Sequence, residues 1–191
     1  MALTFDYMCP FARIANESLI ELLERDADLT VKFVPFSLHQ NSLEEADTAV
    51  WDSPKGVEGR GVRALLWGIA VRDEFPESFQ AFHLAVFNAR YDNGANINDQ
   101  AVLGRIAETV GIDPTVVQQI VDSSAPMKTL AAEHTELVTD YSVFGVPTFI
   151  HGEEAVFVKM MERHSPDDVA KILDMLTWTD LSEFKRTRVP R

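Results

Sequence analysis

Leu3, Phe5 and Tyr7 alternate with Thr4, Asp6 and Met8, and the alternation stops at Cys9-Pro10, where an apolar stripe of helical spacing takes over. This switch of period, from two to about 3.6, requires a strand that turns directly into a helix. Ala15, Leu19, Leu22 and Leu23 stand at i, i+4, i+7 and i+8 on that helix, which is expected to end near Arg25-Asp26. Val31 to Phe36 is a second apolar run, with Pro35 marking its end. A strand, a helix and a strand in 36 residues form a β-α-β unit with parallel strands and a right-handed crossover.

From about Leu43 to His134 the periodicity is helical throughout, with Val62, Leu65, Leu66 and Ile69 on one stripe and Phe79, Phe82, Val86 and Phe87 on another. Residues 42–59, rich in Ser, Asp, Gly and Pro, read as a loop. Asn98 is the expected N-cap of a helix carrying Val102, Leu103 and Ile106, closed by Gly111, and Asp113-Pro114 opens the next. A last helix with Leu130, His134, Leu137, Val138 and Tyr141 is expected to close near Gly145. Thr148 to His151 and Ala155 to Val158 then flank Gly152-Glu153-Glu154 as a short hairpin. Ser165-Pro166-Asp167-Asp168 caps a closing helix whose Val169, Ile172, Leu173 and Leu176 face a core.

The order is β-α-β, an all-helical insertion, then α-β-β-α, an α/β arrangement that matches the thioredoxin-like fold. The expected division is a thioredoxin-like domain from residues 1–42 and 135–191 with a helical insertion domain at 43–134. In a chain of 191 residues, 46% of them hydrophobic, such a core can be buried.

With 17 Lys+Arg against 30 Asp+Glu the formal net charge is −13, which excludes a broad basic nucleic-acid footprint and gives no basis for adhesion to an anionic membrane. The N-terminal residues show no basic and apolar signal pattern, so a cytoplasmic protein is expected. One cysteine excludes an internal disulfide and any multi-cysteine metal site.

That cysteine, Cys9, stands where strand becomes helix, and Pro10 has the fixed φ of a first helical position. Free N–H groups of the first turn and the positive end of the helix dipole stabilise a thiolate there, and Arg13, one turn on, is expected to add to this and lower the thiol pKa. A buried packing cysteine is the ordinary alternative, and the strand-Cys-Pro-helix placement favours the reactive one.

Cys9-Pro10-Phe11-Ala12 resembles the Cys-Pro-X-Cys site of DsbA-like thioredoxin-fold proteins, with Ala12 in place of the second cysteine. Gly145-Val146-Pro147-Thr148 is similar to the family's Val-cis-Pro segment before the third strand. The helical insertion also resembles this family, so the likeness covers nearly the whole chain. It implies that Pro147 is cis and lies beside the thiol, with Val146 offering backbone hydrogen bonds to a bound thiol substrate. The ending Phe184 to Pro190 resembles the tail of actinobacterial mycothiol-dependent nitroreductases, which implies a low-molecular-weight thiol, mycothiol or glutathione, as cosubstrate and no tightly bound cofactor. A related branch, 2-hydroxychromene-2-carboxylate isomerase, usually carries serine where this chain has Cys9.

His39, His83, His134, His151 and His164 show no metal spacing. His134 falls on an apolar stripe and reads as a core histidine, His39 and Trp67 are candidates for the substrate pocket, and Tyr7 is a weaker one. Three functions follow: a monothiol oxidoreductase or thiol-transferase acting on a small thiol and an electrophilic or disulfide substrate; a thiol-dependent isomerase or transferase; and a redox-sensing binding module. A homodimer is left open.

Overall fold

The computed structural model describes residues 1–25, 28–178 and 180, so the expectation attached to Phe184–Pro190 lies outside the described residues. β1 (Ala2–Phe5), α1 (Pro10–Arg25) and β2 (Lys32–Pro35) form the expected first unit, with β1 and β2 parallel. A short α2 (Leu38–Asn41) follows, then α3 (Val62–Glu74), α4 (Pro76–Tyr91), α5 (Gln100–Thr109), α6 (Pro114–Asp122) and α7 (Ala125–Tyr141). β3 (Thr148–His151), β4 (Glu154–Phe157) and α8 (Pro166–Leu176) complete the order.

The four strands lie in the order β2-β1-β3-β4, with β3 antiparallel to both β1 and β4. Leu3, Thr4 and Phe5 of β1 are all buried, because this inner strand is covered on both faces. This is the expected thioredoxin-like arrangement with a helical insertion between β2 and β3. α8 packs on α1, β3 and β4, while α7 packs on β2 and runs unbroken through residues 134 and 135.

The helical part is organised around α3, which contacts α4, α5, α6 and α7. Nine of its thirteen residues are buried, so it is apolar all round rather than along the single stripe expected. Gly68 lies on it where Tyr7 presses in; a Cβ there would stand 2.6 Å from the Tyr7 hydroxyl. Tyr7 itself lies past the end of β1, in a turn.

Several boundaries differ from expectation: β1 ends at Phe5, β4 runs from Glu154 to Phe157 with Glu154 paired rather than in the loop, and three others have a local cause. The N-cap of α5 is Asp99, whose carboxylate accepts from the Ala101 N–H, while Asn98 accepts from the Gly61 N–H and donates to the Gly59 carbonyl, tying the preceding loop to the start of α3. α7 ends at Tyr141, because Ser142 takes the left-handed conformation that returns the Val143 N–H to the Leu137 carbonyl. Ser165 occupies the N-cap position of α8, but its hydroxyl donates to the Arg163 carbonyl instead of capping. The 42–59 loop includes one 3₁₀ turn at Gly56–Glu58.

Candidate active site

The turn between β1 and α1 is held by Asp6. Its carboxylate accepts from the Met8 N–H (2.8 Å) and, across the fold, from the Leu38 N–H (2.7 Å), while its carbonyl accepts from the Cys9 N–H (3.0 Å). Two loops are thereby tied together under the thiol. The Asp6 side chain is buried, and desolvation pushes its pKa up to about 6 against the pull of both N–H groups and of Arg60.

Cys9 is the N-terminal residue of α1's first turn, with the Ala12 N–H 3.4 Å from its Sγ and the Arg13 N–H bonded to its carbonyl. Its thiol points at the Val146 carbonyl at 3.3 Å, and the Val146–Pro147 peptide is cis. The Pro147 loop is fixed from two sides: the Thr148 N–H donates to Thr4 Oγ1 (2.7 Å) and the Val158 N–H to the Pro147 carbonyl (3.2 Å). Residues 9 and 146 are 137 positions apart, and the antiparallel β1–β3 pairing brings them together.

The thiol pKa corrects the expectation. Burial pushes it above the ordinary thiol value; the Ala12 and Phe11 N–H groups pull it down, Asp6 pushes it further up, and Lys159 draws it down. The Arg13 guanidinium, expected to lower the thiol pKa, is instead engaged by the side chains of α1 and α4. It binds Glu17 (2.8 Å), Asn88 (2.9 Å) and both oxygens of Asp92, one of them in a very short contact. Arg163 holds the other side of Glu17, so α1, α4 and the segment before α8 share one ionic knot.

The structure therefore brings Cys9, Pro10, Ala12, Val146 and Pro147 to one corner, with Phe11 half-buried at its edge. His39 lies on α2, where it lines a cavity of about 320 Å³ with Leu43 and Asp47. Trp67 is a core residue on α3, 1% exposed. Neither has a hydrogen bond or ring contact to Cys9 among the described residues. A second cavity, of about 590 Å³ between Trp51, Arg63, Gln118 and Lys128, also does not border the thiol. His134 is a core histidine: its ring stacks on Phe36, its Nδ1 accepts from the Ser37 N–H at 3.2 Å, and burial lowers its pKa to about 4.

Three residues near the thiol were not singled out from sequence. Asp6 carried a signal, an acid inside an apolar strand three residues before the thiol. Tyr91, whose phenol is pushed up to about 12 by burial and then by Cys9, and Lys159, whose field reaches Cys9, carried none. No group of His, Cys, Asp and Glu among the described residues is arranged to hold a metal, and no described helix is long and apolar enough to cross a membrane.

A cysteine capping the helix that follows β1, set against a cis X-Pro peptide before β3, is the arrangement of a thiol–disulfide site. The chain belongs to the DSBA-like thioredoxin domain family, which matches it over residues 2–174. This is a family of thiol–disulfide oxidoreductases and isomerases. The chain is 22% identical over 172 residues to the uncharacterized protein YwbO of Bacillus subtilis (strain 168), covering 79% of this chain and 86% of that one. Among solved structures it is similar to a putative protein disulfide isomerase from Nitrosomonas europaea (TM-score 0.67, 14% identity, 93% of this chain and 97% of that one). It is also similar to 2-hydroxychromene-2-carboxylate isomerase (TM-score 0.65, 17% identity, 94% and 96%) and to BdbD from Bacillus subtilis (TM-score 0.61, 17% identity, 92% and 85%).

Proposed function

We propose that this chain is a monothiol oxidoreductase or thiol-transferase in which Cys9 alone exchanges with a low-molecular-weight thiol, mycothiol or glutathione. The observation that carries this reading is the single sulfur held between the Ala12 N–H and the Val146 carbonyl, with the position one turn on filled by the fully buried methyl of Ala12. A substrate disulfide is attacked by the Cys9 thiolate; the Cys9 S–S bond forms, the substrate S–S bond breaks, and its other half leaves as a thiolate. No second cysteine exists in the chain to expel the bound half, so a thiol from solution does so. The raised thiol pKa sets the rate of the first step: only the minor thiolate fraction attacks at neutral pH, so exchange accelerates as pH rises.

Mass spectrometry of the oxidised protein tests this. The expected product is a one-to-one adduct of Cys9 with the small thiol, fully reversed by excess thiol and absent in Cys9→Ser. A thiol that accepts no adduct in the folded state, yet does so in denaturant, overturns the reading. Ala12→Cys is expected to close an internal disulfide, and failure to do so under an oxidant that modifies Cys9 counts against the site geometry.

A second reading, reversible addition of a thiol cofactor to an electrophile without net redox change, is favoured by the burial of Cys9, 8% exposed, which pushes its thiol pKa up. A panel of disulfide, nitroaromatic and chromene substrates with each thiol separates the two.

A further inference from the structure

The rim of the Cys9 corner is aromatic with one cation set into it. Lys159 follows Val158, whose N–H is bonded to the Pro147 carbonyl, so its backbone is anchored to the cis-proline loop. Its Nζ lies 5.1 Å from the centroid of Phe11, two residues from the thiol, and 5.5 Å from that of Phe157. Phe157 in turn packs its ring at 5.0 Å on Phe144, which is 66% exposed. A long exposed lysine that swings freely gives little selectivity, but contact with two ring faces restricts this one. No carboxylate lies within ion-pair distance of its ammonium among the described residues, in contrast to Arg13, Arg72, Arg163 and Lys171. The charge is therefore available to a ligand.

The setting makes that charge matter. On a chain of net charge −13 an anionic reactant is repelled by the protein as a whole, and the field at Cys9 includes Asp6 directly beneath. A neutral reactant needs no cation at the mouth.

We propose that Lys159, seated on Phe11 and Phe157, is a specificity-determining residue of the Cys9 site, and that the thiols and disulfides exchanged there carry a carboxylate beside an apolar portion. This rests on Cys9 exchanging disulfides, and it narrows the cosubstrate to thiols with free carboxylates, of which glutathione is one, over an uncharged sugar-linked thiol such as mycothiol. In the exchange the carboxylate lies against Lys159 and the apolar portion against Phe157 and Phe144, while Cys9 Sγ forms the new S–S bond and the departing half leaves as a thiolate.

The test compares two aromatic disulfides on the full chain at one pH: 5,5′-dithiobis(2-nitrobenzoate), a dianion, and 2,2′-dithiodipyridine, which is uncharged. Against wild type, Lys159→Gln is expected to slow the dianionic reagent about 3-fold and Lys159→Glu about 10-fold, from the size of exposed charge pairs, with Lys159→Arg restoring the rate. The neutral reagent reports the thiolate fraction, which Lys159 also raises by drawing the thiol pKa down, so the expected factors are read as the ratio of the dianionic to the neutral rate, and the neutral reagent is expected to slow less than the dianionic one. Raising the salt to about 1 M, where the screening length is about 3 Å, is expected to erase the difference. Parallel slowing of both reagents assigns Lys159 to the thiol itself, and unchanged rates with both make it a bystander; either overturns the proposal. If wild-type Cys9 reacts with neither reagent when folded but with both when unfolded, the exchange reading falls first and takes this one with it.

Discussion

Two polar clusters start from the same stretch of chain, residues 6–16, and are built in opposite ways. In the Cys9 corner almost every partner is main chain: the Met8, Leu38 and Ala12 N–H groups, the Asp6 and Val146 carbonyls. In the core beside it, every contact but one is between side chains: Tyr7 Oη to His83 Nδ1 at 2.9 Å, His83 Nε2 to Asn16 Oδ1 at 3.0 Å, and Asn16 Nδ2 to the Ala12 carbonyl at 2.7 Å. Because the Asn16 amide nitrogen is committed to Ala12, its oxygen accepts, which places the proton of His83 on Nε2 and makes Tyr7 the donor to Nδ1. Phe5, Phe33, Phe79 and Phe87 surround this imidazole, and burial depresses its pKa to about 3. The first cluster leaves a sulfur free to meet a partner; the second is closed and neutral. A site drawn on backbone groups keeps its geometry while a ligand comes and goes, whereas a satisfied side-chain network in a dry core holds one arrangement.

The largest expected effect breaks the closed cluster. His83→Ala removes a fully buried ring and strands the Tyr7 hydroxyl and the Asn16 oxygen, so a loss of about 4 kcal/mol in urea denaturation is expected. Cys9 alkylation in the folded state is expected to stay within about 2-fold, because no backbone partner of the thiol is touched. A large change in alkylation at unchanged stability would mean that the two clusters are one.

Acid titration tests the same contrast. His83 and His134 are depressed from 6.5 to about 3 and about 4, so the stability that they contribute is present above pH 6.5 and lost as pH falls through that range. Asp6, raised from 3.8 to about 6, acts the other way: its contribution is full below pH 3.8 and lost as pH rises through 6. Two histidines outweigh one carboxyl, and between pH 6.5 and 4 a net loss of about 3 kcal/mol is expected in equilibrium unfolding. Stability that rises on acidification would place Asp6 in command.

Arg13→Met sharpens the boundary between scaffold and site. It leaves Asp92 unpaired with Arg13 but keeps Glu17 on Arg163, so a loss of about 2 kcal/mol is expected rather than the full cost of stranding a buried charge. The alkylation profile of Cys9, with its midpoint above the free-thiol value of about 8.5, is expected to be the same in wild type and variant. A shift of that midpoint in Arg13→Met would restore the guanidinium as an activator. The smallest effect is Tyr7→Phe, where a neutral hydrogen bond is lost and about 1 kcal/mol is expected, since the ring stays in its aromatic contacts.

Local pattern carried much of this. β1 ends at Phe5, short of the alternation read through Met8, but Cys9-Pro10 located the start of α1 and Asp113-Pro114 that of α6, because a cap residue followed by proline acts within one turn of the chain. The same logic failed by one residue at Asn98 and Asp99, two adjacent side chains with the same capping chemistry, where the Gly59–Gly61 loop claimed the first. It also failed for the single stripe on α3, since periodicity counts apolar residues but does not know how many helices surround them.

By itself the sequence determined the order of the strands and the long helices, though not the short α2, together with the single sulfur and its place at a helix start, all of which follow from interactions between near neighbours. Only the tertiary structure decided that the Val146 carbonyl faces that sulfur, that Arg13 is spent on Glu17, Asn88 and Asp92, that Lys159 sits on Phe11, and that Asp6 is buried. The physical reason is range. A cap or a helix dipole acts over a few residues, while desolvation, ion pairing and thiol pKa depend on groups up to 137 positions away, which folding alone brings within hydrogen-bond distance.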